Sequence, residues 1–268
     1  MASFPRRVTL GRSGLSVGPL GVSGGYGVGA GAVLRAFDHG VNYFYHGSRR
    51  NPGMATAIRE LVAAGHRDEL IVALQSYSRL AGLMERSVTR GLQQLGIESA
   101  DVLLLGWYNR PPGERLLQRA ERMRENGIFR HLAVSGHRRP AFVGHAADKR
   151  LSIIHVRYNA AHTGAENDIF PHLPTEGRAG VVAYTATSWG ALLKPRRMPA
   201  GEAPLRGRDC YRFVLSNPDF NVCLTGPKDD AQMDEALAAL DEGPLSAEDD
   251  ARIRRIGRWM HEHASFGR

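Results

Sequence analysis

Along the 268-residue chain, short apolar runs of strand length alternate with helical patterns from one end to the other. About eight such units fit its length, and no Pro/Gly/Ser-rich linker or composition shift divides it. These observations predict an α/β fold, a single (β/α)8 TIM-type barrel domain over 1–268 with an N-terminal β-hairpin cap and a C-terminal helix.

In chain order, alternating apolar residues flank the Gly11-Arg12-Ser13-Gly14 turn within 7–17, which predicts a hairpin capping the bottom of the barrel. The eight barrel strands are expected at 20–23, 42–45, 70–74, 102–105, 131–135, 153–157, 181–184 and 222–225. They are short, often continuously apolar and rich in Val, Leu and Ile, as strands covered on both faces should be. Between the third and fourth, Met84, Val88, Gly91, Leu92 and Leu95 recur on one helical face, while Arg86, Gln93 and Gln94 lie opposite. Near the C-terminus Ser246 precedes Asp249 by three residues, and Ile253, Ile256 and Met260 share a face, so a capped helix should lie over the barrel. A doubly wound sheet is the alternative. It is disfavoured because Gly24-Gly25-Tyr26-Gly27 lacks the G-x-G-x-x-G spacing after an early strand.

Composition narrows the class. Hydrophobic residues make up 43% and charged residues 23%, which excludes a disordered or fibrous chain. No apolar stretch approaches the length of a membrane span and no signal peptide follows the first arginines, so the expected location is cytoplasmic, without membrane contact. The net charge is +8, but only Lys149, Lys194 and Lys228 are lysines and the 32 arginines are spread along the chain. That is a compositional bias rather than a nucleic-acid-binding stripe, and no nucleic-acid motif accompanies it. Cys210 and Cys223 read as buried small hydrophobes. The eleven histidines, including His155, His162, His172, His261 and His263, lack compact ligand spacing, so no metal is expected. The partner expected is a small-molecule substrate.

Several segments together resemble the aldo-keto reductase superfamily. They are Leu10 through Gly21; Gly40-Val41-Asn42-Tyr43-Phe44 in the second barrel strand; Tyr158-Asn159 after the sixth; Tyr184 through Leu192 after the seventh; and Gly226-Pro227-Lys228 through Glu235 after the eighth. The resemblance implies an NADPH-dependent (β/α)8 barrel over nearly the whole length. It also implies a catalytic tetrad of Tyr, Asp, Lys and His, which this chain lacks. Tyr45 stands at the Asp position, the Tyr position falls near Arg50, Gln75 replaces the Lys and Gly106 the His. Because the first lysine is Lys149, no nearby realignment restores the Asp–Lys pair.

The replacement residues are hydrogen-bonding and aromatic groups at strand ends and in βα loops, where barrel enzymes place their chemistry: Tyr45, His46, Arg49, Arg50, Gln75, Tyr77, Trp107, Tyr108, Asn109 and Arg110. The catalytic candidates are Tyr45, His46, Gln75 and Trp107. Tyr45 leads them as a general acid whose phenolate His46, Arg49 or Arg50 would stabilise. The resemblance further implies a cofactor cradle. Ser135 and His155 would contact the nicotinamide amide, Tyr184 would stack on the ring, and Ser188 would lie along the pyrophosphate. Gly226 and Lys228 would take the adenosine phosphate at a helix N-terminus, with Gln232 and Glu235 at the adenine end.

The reading is an NADP(H)-binding oxidoreductase of a small carbonyl or alcohol with non-standard acid–base residues. The alternatives are a non-catalytic nucleotide- or ligand-binding barrel, or an enzyme of another class on this fold.

Overall fold

The computed structural model describes residues 3–47 and 52–263. Its strands are β1 (Val8–Thr9), β2 (Ser16–Val17), β3 (Leu20–Ser23), β4 (Tyr43–His46), β5 (Ile71–Ser76), β6 (Ala100–Leu105), β7 (Phe129–Ser135), β8 (Leu151–Arg157), β9 (Gly180–Tyr184) and β10 (Val222–Thr225). The helices are α1 (Ala30–Asp38), α2 (Pro52–Ala63), α3 (Ala81–Leu95), α4 (Glu114–Glu125), α5 (Ala141–Ala147), α6 (Ala165–Asp168), α7 (Gly207–Leu215), α8 (Asp230–Glu242) and α9 (Ala247–His263). Strands β3 to β10 pair in parallel, each with its neighbour in sequence, and β10 pairs with β3 to close the barrel. Closure rules out the doubly wound sheet.

The side-chain period of two sorts each strand between two cores. Tyr43, Ile71, Ala73, Val102, Leu104, Ala133, Ile153, Val182 and Val222 fill the barrel interior, joined by Leu10, Leu15 and Val17 from the hairpin. Phe44, Val72, Leu74, Leu103, Val134, Ile154 and Val181 face the other way, against the helices. The hairpin therefore plugs the end where the parallel strands start. Asn42 fastens it: its Oδ1 accepts from the Gly18 N–H at 2.9 Å, and its Nδ2 donates to the Ser16 and Glu69 carbonyls, each at 3.0 Å.

Helix α3 buries Met84, Val88, Gly91, Leu92 and Leu95, the face its sequence period marks. Ser246 caps α9, its Oγ accepting from the Asp249 N–H at 3.0 Å and donating to the Asp249 carboxylate at 2.9 Å. The α9 face of Ile253, Ile256, Gly257 and Met260 is buried. It lies so close to the segment after β8 that a Cβ on Gly257 would stand 2.0 Å from the Ala160 carbonyl oxygen. Among the described residues no helix is long and apolar enough to cross a membrane.

Candidate functional site

One further step along the inward-facing positions brings each strand to the C-terminal mouth. Tyr45, Gln75, Ser135, Arg157 and Tyr184 are reached this way, and Gly106 and Gly226 follow just beyond β6 and β10. Tyr45 belongs to the same interior face as buried Tyr43 and packs at the edge of the interior cluster. Its hydroxyl donates to Gln75 Oε1 and is also bonded to Tyr77. Burial, then Tyr77, Tyr26 and Tyr43, push the Tyr45 pKa well above the ordinary phenol value, so the group is a neutral hydroxyl.

His46 is buried on the opposite face of β4, in line with Phe44 and the helix layer, because adjacent strand residues alternate sides. The structure therefore does not bring it to Tyr45 in the mouth. Ser48, Arg49, Arg50 and Asn51 lie outside the described residues, and the support expected from the two arginines lies there with them.

Gly106 occupies the expected His position for a steric reason. A Cβ there would meet Gln75 Nε2 and Tyr77 Cδ1 at 2.5 Å each, so the Gln75 amide and the Tyr77 ring fill the space a larger side chain would need. Trp107 follows at φ +61 and is 61% exposed. Its ring meets Tyr77 edge-on at 5.7 Å and His137 at 5.6 Å, and His137 in turn meets Tyr184 at 6.1 Å. These four rings form a connected arc along one side of the mouth.

Arg79, which the sequence reading missed, holds the arc from outside. Its guanidinium donates to the Tyr77, Gly106 and Trp107 carbonyls at 3.0, 2.9 and 2.5 Å and lies 3.8 Å over the Tyr108 ring. Tyr108 itself is buried and donates to the Ser78 carbonyl. Asn109 Oδ1 accepts from the His137 and Arg138 N–H groups and so ties two loops together.

At the expected nicotinamide end, Ser135 Oγ accepts from the Trp107 N–H at 3.3 Å. His155 sits lower, fully enclosed in the barrel, with Nε2 2.9 Å from the Tyr43 hydroxyl. Burial pulls its pKa down to about 3, so it is neutral. Tyr184 is at the mouth, half-buried, and donates to the Gly136 carbonyl at 2.7 Å, which fixes its ring plane.

The following turn holds Thr185, Ser188 and Trp189 at φ +62, +51 and +52, a sparsely populated conformation for side-chain-bearing residues and one that clusters at ligand sites. Ser188 N–H donates to the Thr185 carbonyl within it. After β10, Gly226 leaves room for the Tyr26 ring, 2.6 Å from where a Cβ would stand.

Lys228 is well exposed, its Nζ 3.9 Å from the Asp229 carboxylate. Asp229 caps α8 by accepting from the Gln232 N–H at 2.9 Å, and Gln232 Oε1 accepts from the Lys228 N–H at 3.2 Å. Glu235 is turned to α7, where it pairs with Arg208. Thus Lys228 and Gln232 meet at the first turn of α8, while Glu235 is committed elsewhere.

Arg157 is the other residue the sequence reading missed. Its signal was present: it follows His155 by two in the same strand and so shares the inward face.

No family model matches the chain, and no curated protein matches it. Among solved structures it is similar to the aldo-keto reductase AKR11C1 from Bacillus halodurans. The holo form aligns with a TM-score of 0.76 at 17% identity, covering 93% of this chain and 95% of that one. The apo form aligns at 0.72 and 18% identity over the same shares. The chain has the aldo-keto reductase fold, a closed eight-stranded parallel barrel with a hairpin at its base and a C-terminal helix.

Proposed function

We propose that this single-domain barrel binds NADP(H) and acts as an oxidoreductase on a small carbonyl or alcohol through neutral hydrogen-bonding groups in place of the usual tetrad. The observation that carries the reading is the hydrogen-bonded Tyr45–Gln75 pair at the mouth, level with Tyr184, in a barrel of this fold.

The residues fit the nucleotide unevenly. Tyr184 offers an aromatic ring held by its hydroxyl, and Lys228 an exposed ammonium for the 2′-phosphate. The Asp229 carboxylate, in contrast, already caps α8, so the ammonium rather than the helix N-terminus would carry the phosphate contact. When bound, NADPH would supply the hydride. Tyr45 would then turn its O–H from Gln75 to the substrate oxygen and give up the proton there. The raised pKa makes Tyr45 a sound hydrogen-bond donor but a weak acid. Because a tuned general acid contributes about 10²–10⁴-fold, turnover of a generic aldehyde should be slow.

A second reading, a nucleotide-binding barrel without turnover, is favoured by one observation. Tyr45 is bonded to Gln75 and Tyr77, and among the described residues every group acting on its pKa raises it. Mixing enzyme, NADPH and 4-nitrobenzaldehyde in a single-turnover experiment separates the two. Slow loss of the nicotinamide absorbance that Tyr45→Phe abolishes supports the oxidoreductase; binding with no oxidation supports the second reading.

A further inference from the structure

Arg157 ends β8 with its Cα paired to that of Tyr184, and both side chains lie on the inward face. Its guanidinium lies 5.3 Å from the centre of the Trp189 ring. Among the described residues only one of its donors is committed: Nη2 reaches the His162 ring at 2.6 Å. His162 is held in place by Asn159 Oδ1, and burial together with Arg157 pulls its pKa down to about 4, so it accepts as a neutral imidazole and carries no counter-charge. Among the described residues the buried Nε–H of Arg157 has no hydrogen-bond partner and no carboxylate lies within ion-pair distance. The neighbouring Arg139 differs, being paired with Asp168 at 2.5 Å. A buried donor with no acceptor on a permanently charged, planar fork costs stability unless an anion completes it.

We propose that Arg157 is the anion-recognising residue of the mouth and that it takes the carboxylate of a small-molecule substrate. The substrate half of this proposal rests on the oxidoreductase reading; the anion site does not. A carboxylate matches one guanidinium in charge and in its two-pronged geometry. Arg157 pairs in register with Tyr184, the ring offered to the nicotinamide end, which favours a substrate carboxylate; because Trp189 of the 185–190 turn is also close, the dinucleotide's phosphates are the other source of an oxyanion, and the test tells the two apart.

The test is titration of the nucleotide-free protein with benzoate and with benzamide, its neutral counterpart, read by tryptophan fluorescence. Benzoate should bind about ten- to a hundredfold more tightly than benzamide. Arg157→Gln should erase the preference and leave NADPH affinity within about twofold, and Arg157→Lys should retain part of the preference. Equal affinities for the two probes would overturn the proposal. So would an Arg157→Gln protein that keeps the benzoate preference but loses NADPH affinity, because the anion would then be the dinucleotide's phosphate. Should Arg157→Gln fail to fold, the Lys variant and salt decide: a benzoate preference unmoved by ionic strength and by Arg157→Lys refutes the site. Absence of NADPH binding by the native protein would remove the oxidoreductase reading while leaving the benzoate preference intact, so the two failures are distinct.

Discussion

Tyr45→Phe removes a single hydroxyl from the mouth. Its donor bond to Gln75 Oε1 is lost, and Gln75 is only 5% exposed, so water replaces the donor poorly. The expected cost is about 1 kcal/mol, rising towards ~3 kcal/mol if the amide oxygen finds no new partner. For a chain of this size that corresponds to a melting temperature lower by about 2–4 °C per kcal/mol. The ring is retained, so the interior packing around Tyr43 should persist, and NADPH affinity should be unchanged. If Tyr45 supplies the proton, single-turnover hydride transfer should fall by about 10²-fold or more, about 2.7 kcal/mol of transition-state stabilisation. Stopped-flow nicotinamide absorbance and a circular-dichroism melt on the same protein read the two effects separately. A variant that melts earlier yet transfers hydride at the native rate would refute the catalytic assignment and leave Tyr45 a structural residue.

The neutral, enclosed His155 makes the fold acid-sensitive. Its folded pKa of about 3 lies below the unfolded value near 6.5, so its contribution is complete above pH 6.5 and declines, by about 1.4 kcal/mol per pH unit, as the pH falls towards 3. His155→Gln cannot take up that proton, so denaturant midpoints between pH 6.5 and 4 should fall more gently than in the native protein; identical slopes would contradict the burial argument. Gly257→Ala pushes a Cβ against the Ala160 carbonyl oxygen, backbone that cannot swing away, and should destabilise by about 1–3 kcal/mol in a urea melt.

Much of the architecture is legible because it rests on periodicity. The eight strands and the buried face of α3 follow from spacing alone, and the main shifts are earlier starts at Ala100, Phe129 and Leu151, where polar or charged residues interrupt the apolar runs. The same alternation that places Tyr45, Gln75 and Tyr184 at the mouth would have turned His46 outward and Arg157 inward, so those two positions were readable from the strand register. The arc of Tyr77, Trp107, His137 and Tyr184 was not readable, because it joins loops after three different strands to the end of a fourth. Nor was the Arg79 clamp, which depends on three carbonyls whose directions only the folded loops define. The commitment of Glu235 to Arg208 likewise depends on the packing of α7 against α8.

Titration of the native protein with NADPH and NADH by nicotinamide fluorescence tests directly whether the mouth and the α8 turn together bind NADP(H). Saturable binding with NADPH preferred by about ten- to a hundredfold is expected, since a charge-assisted contact from Lys228 to the 2′-phosphate contributes about 1.5–3 kcal/mol. Lys228→Ala should abolish the preference without altering the melting temperature, because the side chain is 63% exposed. No binding of either nucleotide, or equal affinities that Lys228→Ala leaves unchanged, would show that this mouth and turn do not form an NADP(H) site.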